Sequence, residues 1–185
     1  MHIRSVFLDR DGVLNVYLPG AYVRNVEELG VVPGVAAAIR RLNDSGIPVI
    51  VISNQQGVGK GIMTFDDLLA VQAGMEAILE EQAGARIDGW YYCTDLASVV
   101  SERRKPKPGM LYEAARDFSL DLATTAFIGD SPTDIAAGEA AGVGATILVL
   151  SGATAAYDPD RFQPAPGHVF PDVGTAVTWI LEEQS

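Results

Sequence analysis

The chain has 185 residues, 48% of them apolar, and a formal net charge of −11. That length suits one domain with a sizeable core, and the composition excludes a disordered chain. The charge excludes nucleic acid or an anionic membrane as the main partner, while a local basic pocket or a bound cation would still serve a small anion.

Cys93 is the single cysteine, which rules out an internal disulfide framework and a Cys-rich zinc site. The opening "MHIRSVFLDRDG" lacks a signal-peptide layout, and no apolar run is long enough to span a bilayer. The expectation is one domain over 1–185, cytoplasmic, a monomer or weak dimer, with a small-molecule partner and neither nucleic acid nor membrane.

Residues 3–8 read as a first strand. Val35, Ile39 and Leu42 share one helical face behind Pro33-Gly34. "IPVIVI" at 47–52 is β-branched and apolar throughout, as a buried parallel strand requires. Thr64-Phe-Asp-Asp67 predicts a capping box, followed at helical spacing by Leu68, Val71, Met75, Ile78 and Gln82. "GWYYC" at 89–93 is a third strand. Pro108 opens a helix whose inner face is expected to carry Leu111, Ala115 and Phe118. "TAFIG" at 125–129 is a fourth strand, Ser131 starts a helix that stops at Gly142, and "ATILVL" at 145–150 is a fifth strand. The polar, Pro-rich stretch 152–171 reads as irregular. Asp172 then caps a last helix with Val173, Val177 and Ile180 inside. Strands alternating with helices imply right-handed crossovers: an α/β fold, a central parallel sheet of about five strands covered on both faces.

In such sheets, ligands bind beyond the carboxyl ends of the strands. Asp9 and Asp11 follow the first strand, Ser53-Asn54-Gln55-Gln56 the second and Asp130 the fourth, while Arg104-Lys105 lies in the loop before the fourth-strand helix. Clustered acids repel unless a cation holds them, and oxygen ligands without His or Cys favour magnesium. Magnesium keeps waters and shares its shell with phosphate. A serine, backbone amides and a lysine suit the other side of a phosphoryl group. Asp9 is placed to attack phosphorus, and Asp11 to protonate the leaving alkoxide and later activate water.

These residues resemble the haloacid dehalogenase (HAD) superfamily of aspartate-nucleophile phosphatases. Asp9-Arg-Asp11-Gly-Val-Leu-Asn15 resembles its first motif, Ser53-Asn54 its second, Lys105 its third and Gly129-Asp130-Ser-Pro-Thr-Asp134 its fourth, in order over residues 5–150. "SNQQGVGKG" and "RRKPKPGM" are similar to the capless subgroup of heptose-1,7-bisphosphate 7-phosphatases and histidinol-phosphate phosphatases. The resemblance implies a Rossmann-like domain without a cap and catalytic roles for Asp9, Asp11, Ser53 and Lys105. It implies magnesium on the Asp9 and Asp130 side chains and the Asp11 carbonyl. Substrate contacts are implied from Asn54, Gln55, Gln56 and Arg104, and from the loop Tyr17–Gly20. The implied reaction is phosphomonoester hydrolysis through an aspartyl-phosphate, with heptose 1,7-bisphosphate as substrate and histidinol phosphate as the alternative. A non-catalytic phospho-ligand binder is the alternative of another class, against which the intact Asp9–Asp11 pair speaks.

Two positions depart from the subgroup. Many members carry a zinc loop of Cys-x-His and Cys-x-Cys, where this chain has Cys93, Asp95, Ser101 and Arg103. One thiolate and one carboxylate do not make a closed zinc site, so no zinc is expected. Ser131 stands where heptose phosphatases often have lysine. Asp134 fits a helix cap or a metal shell equally. Gly57, Gly59 and Gly61 fit loop flexibility as well as phosphate cradling. Trp90, Tyr91 and Tyr92 read as strand core, Cys93 as a small buried residue, and His2 and His168 as surface residues.

Overall fold

The computed structural model describes residues 2–182. Among them, six parallel strands form one sheet: β1 Ser5–Leu8, β2 Val49–Asn54, β3 Gly89–Cys93, β4 Thr125–Gly129, β5 Ala145–Val149 and β6 His168–Phe170. Their order is β3-β2-β1-β4-β5-β6. The helices are α1 Val35–Asp44, α2 Gln56–Gly59, α3 Phe65–Ala83, α4 Gly109–Asp117, α5 Pro132–Ala141 and α6 Val173–Glu182. None is long and apolar enough to cross a membrane.

Side chains alternate across the sheet and fill two apolar layers. Val6, Leu8, Val49 and Val51 pack on the face covered by α1, α3 and α6. Phe7, Ile50, Ile52 and Phe127 face the other way, against Met110, Leu111 and Ala114 of α4 and Ala137 of α5. Both faces are dry, which explains why these strands read as unbroken apolar runs.

The register aligns the strand ends that matter. Leu8 is level with Val51 on one side and Ile128 on the other. The chain runs outward from β1 to β2 and β3, then returns to β4 on the opposite side of β1. The β1–β4 seam is therefore the switch point, where neighbouring loops part and leave a crevice.

Several expectations are corrected. A sixth strand, β6, lies inside the stretch expected to be irregular. It is three residues long and pairs with β5 through Ile147–His168, Leu148–Val169 and Val149–Phe170. Such a short edge strand leaves little periodic signal. His168 is not a free surface residue: it is half-buried, with its ring 4.1 Å from the Trp179 ring centroid. Phe118 lies beyond the end of α4 and is exposed, so Met110, Leu111 and Ala114 form the inner face. On α3 the buried residue of the last turns is Leu79, while Gln82 is exposed. The glycine loop contains the short helix α2, and a Cβ at Gly59 would lie 2.2 Å from the Thr94 carbonyl oxygen. Close backbone approach explains that glycine better than flexibility does.

Candidate active site

Asp9 follows β1 while its amide still bonds to the Ile128 carbonyl at 3.0 Å, so its backbone is held by the sheet. Asp130 follows β4 on the adjacent side. Asp134 lies one turn into α5. Ligand oxygens of these three buried carboxyls all lie within 4.8 Å of one another.

Lys105 holds the group together. Its ammonium is 2.9 Å from Asp9 Oδ1 and 2.5 Å from Asp134 Oδ1, and it donates to the Ile52 carbonyl at 2.8 Å. All three N–H donors are thus engaged, and the side chain is buried. Burial opposes the charge, but Asp134 and Asp9 hold the ammonium well above the ordinary lysine range. The backbone of Lys105 is fixed by Asn54, which donates to its carbonyl at 3.0 Å and accepts from its amide at 3.1 Å.

Asp134 unites two tasks. Its Oδ2 accepts from the Asp130 amide at 3.2 Å, the Ser131 amide at 3.1 Å and the Ser131 hydroxyl at 2.6 Å, while Oδ1 faces Lys105. It caps α5 and ties that cap to the lysine. Asp130 accepts from the Ala153 amide at 2.6 Å. Gly12 and Gly152 pack directly against it, and an added Cβ would lie 1.9 and 2.0 Å from its Oδ2.

Burial outweighs the nearby cation for both acids beside the seam. It pushes Asp9 up to about 6, with Asp134 and Asp11 adding repulsion against the lowering effect of Lys105. It pushes Asp130 up to about 8, with repulsion from Asp9 and Asp134. Asp11 differs. Burial also pushes it up, but the Arg10 charge and hydrogen bonds from Arg10, Asn15 and Gln55 leave it below the ordinary carboxylate value. Those bonds are 2.9 Å from Arg10, 2.9 Å from Asn15 and 2.7 Å from Gln55.

The remaining expected residues divide into struts and walls. Ser53 is buried, and its hydroxyl accepts from Gln55 Nε2 at 3.0 Å. Gln55 is buried too, so it links Ser53 to Asp11 instead of standing free. Asn54 and Gln56 line a cavity of about 450 Å³ with Asp11, Tyr17 and Tyr22. Arg104 lies outside that cavity, on a separate cleft with Ser101 and Lys107, where its guanidinium donates to the Asp95 carbonyl at 3.0 Å.

The 93–103 loop is knit by hydrogen bonds. Ser101 Oγ donates to Asp95 at 2.6 Å, and the Cys93 thiol to the same oxygen at 3.4 Å. Ser101 Oγ accepts from the Arg104 amide at 3.2 Å. Arg103 donates to the Tyr92 carbonyl at 3.0 Å and pairs with Glu113 at 2.9 Å.

Arg10 and Asn15 were missed by sequence reasoning. Arg10 is 1% exposed, an unusual burial for guanidinium, and it neutralises Asp11. A charged residue between two acids at a strand end was the available signal.

The chain is similar to several known proteins. Residues 102–176 match the family model described as HAD-hydrolase-like. The D-glycero-D-manno-heptose-1,7-bisphosphate 7-phosphatase of Thermosynechococcus vestitus is 38% identical over 95% of this chain and 94% of its own. The D-glycero-beta-D-manno-heptose-1,7-bisphosphate 7-phosphatase of Rhodopseudomonas palustris is 42% identical over 75% of this chain and 79% of its own. The chain belongs to the HAD-like hydrolases. A solved relative from B. bronchiseptica, a D,D-heptose 1,7-bisphosphate phosphatase complexed with magnesium and phosphate, has a TM-score of 0.86 at 30% identity and covers 99% of both chains.

The fit of Asp130 against this HAD-like hydrolase's Gly12 is directly testable. Gly12 has φ +86°, and a methyl there would collide with the Asp130 carboxylate. Gly12→Ala is expected to cost about 1–3 kcal/mol. Urea unfolding measures it, and an unchanged midpoint would show that the loop relaxes freely.

Proposed function

We propose that this protein is a magnesium-dependent phosphatase that removes the 7-phosphate of D-glycero-D-manno-heptose 1,7-bisphosphate through an aspartyl-phosphate on Asp9. The observation that carries the reading is the buried Asp9–Asp130–Asp134 cluster bound to Lys105 at the switch point. The substrate follows the relatives' names, and a small anionic metabolite is compatible with the net charge of −11 where a nucleic acid is not.

The donor set fits the metal. Asp9 and Asp130 supply carboxylate oxygens in a cluster that holds no histidine or cysteine among the described residues, as a hard cation prefers. Both Asp134 oxygens are engaged, by the α5 cap and by Lys105, so Asp9 and Asp130 would hold the ion, with the Asp11 carbonyl that the family resemblance implies. When bound, magnesium neutralises charge on the phosphoryl oxygens and orients them.

The chain's own residues do the rest. Arg10 N and Lys105 Nζ both contact Asp9 Oδ1, which leaves Oδ2 as the attacking atom. Its bond to phosphorus forms as the ester P–O bond breaks, and Asp11 gives its proton to the departing alkoxide. Asp11 is held ionised in the resting protein. The incoming phosphate dianion raises its affinity for that proton by like-charge repulsion. Asp11 then takes a proton from water, the water oxygen attacks phosphorus, and the Asp9–phosphorus bond breaks to release phosphate. Ser53 and Lys105 flank the phosphoryl group, Asn54 and Gln56 line the sugar pocket, and Gln55 orients Asp11. Arg104 lines its own cleft and not the cavity that holds Asn54 and Gln56.

Phosphate release from heptose 1,7-bisphosphate tests the reaction. Asp9→Asn is expected to lose at least about a thousandfold in kcat while unfolding like the parent, because the amide cannot act as nucleophile. Substantial remaining turnover would remove Asp9 from that role.

Metal binding has its own pH signature. The folded-state values of about 6 for Asp9 and about 8 for Asp130 stand above the ordinary 3.8. Between those limits the folded metal-free protein holds more protons than the unfolded chain, so its stability falls as pH rises. Magnesium must displace those protons, and its affinity rises over the same window. Its thermal stabilisation is therefore expected to be larger at pH 8 than at pH 6; an equal shift would contradict the assignment.

The hydrogen-bonded 93–103 loop supports a protein without zinc. Metal analysis of the purified chain is expected to find none in stoichiometric amount, and one tightly held zinc per chain would overturn that reading.

A further inference from the structure

The cavity that Asp11 lines has a second charged wall residue that the reaction above does not use. Asp11, Tyr17, Tyr22, Asn54, Gln56 and Lys60 are among its walls, and Lys60 is the one cationic wall residue among the described residues. Lys60 follows the single turn of α2 and donates to the Tyr22 hydroxyl at 3.0 Å. The Tyr22 ring is itself seated: a Cβ at Gly57 would lie 3.0 Å from its Cδ1, so the ring rests on the bare backbone of α2. The lysine is thus steered over the cavity by a neutral partner and is in no ion pair among the described residues.

Arg104 stands on a separate cleft with its guanidinium on the Asp95 carbonyl, and three further cations are paired with acids. Lys105 is shared between Asp9 and Asp134. Arg10 is paired with Asp11, and Arg24 with Glu28. Ser131 offers no charge, and its hydroxyl is bonded to Asp134. A sugar bisphosphate entering this cavity places one phosphate against Asp9 and carries a second dianion that needs a counter-charge. On a chain of net charge −11, leaving that dianion unpaired would cost affinity.

We propose that Lys60 is a specificity-determining residue: its ammonium, positioned by Tyr22, binds the second, non-reacting phosphate of the bisphosphate. This deepens the phosphatase reading above and rests on it. Lysine acts here as a point charge on a flexible stem, suited to a terminal phosphate whose position shifts with the sugar. Because Lys60 stays with the phosphate that does not react, it contributes equally to ground and transition states. Its loss should therefore appear in KM and not in kcat.

The test uses the whole protein, magnesium and two substrates: heptose 1,7-bisphosphate, and p-nitrophenyl phosphate, which has one phosphate only. Lys60→Gln is expected to raise KM for the bisphosphate about ten- to a hundredfold, with kcat changed less than about twofold. Its constants for p-nitrophenyl phosphate should equal those of the parent, and Lys60→Arg should restore most of the bisphosphate affinity. Equal effects on both substrates, or none on either, would overturn the assignment of Lys60 and leave the phosphatase reading intact. So would a parent protein that hydrolyses p-nitrophenyl phosphate without preferring the bisphosphate. A parent that hydrolyses neither substrate would overturn the phosphatase reading, and the role of Lys60 with it.

Discussion

The structure depends on one buried ammonium. Three carboxyls gathered at the β1–β4 seam repel one another and lose hydration, so the cluster is costly without a counter-charge. Lys105 supplies it, touching Asp9 and Asp134 while its third donor takes the Ile52 carbonyl at the end of β2. Loops after β1 and β4 are thereby joined to the loop before α4. The balance is deliberately incomplete: one cation faces three acids, and Asp9 and Asp130 remain above the ordinary carboxylate range. Under the proposed function, a metal would offset the acids and a phosphate would meet the lysine.

Everything around Lys105 serves its placement. Asn54 holds its backbone by a reciprocal pair of hydrogen bonds. The loop behind it is fastened by Ser101, which bonds Asp95 and the Arg104 amide, and by Arg103, which bridges the Tyr92 carbonyl and Glu113. A buried charge with so many fixed partners is a rigid element, and rigidity near the reacting atom is what in-line displacement needs. Cys93 belongs to this fastening through its weak thiol bond to Asp95 and its place in the core beside Ile52, consistent with a packed and inert thiol.

The sheet was legible because both its faces are buried: five of the six strands announce themselves as apolar runs bounded by turn residues. β6 was not, since a three-residue edge strand gains its identity from pairing with β5 and from the stacking of His168 and Phe170 with Trp179, neither visible locally. The site showed the same division. Acids and a serine at strand ends were readable because charge there demands a reason. The helper residues were harder. The family resemblance implies Gln55 as a substrate contact, and in the structure its amide donates to Asp11 and Ser53. Arg10 drew no reading of its own from the sequence, yet it is among the most buried side chains. Spacing tells which loop a residue belongs to, but not which way its side chain turns.

The sequence leaves Asp134 as a helix cap or part of a metal shell, and in the structure its two oxygens have separate partners. One accepts from three donors at the start of α5, and the other meets Lys105. Joining them makes the helix start part of the charge balance, so α5 cannot shift without disturbing Lys105. The cavity that Asp11 and Lys60 line is built differently. Lys60 sits at the end of a one-turn helix, held by a single neutral hydroxyl and open to the cavity. Lys105 and Asp134 are locked by several bonds each, and Lys60 by one. Under the proposed function, the reacting centre common to every phosphate ester would tolerate no play, while a charge that recognises one sugar would need to follow its ligand.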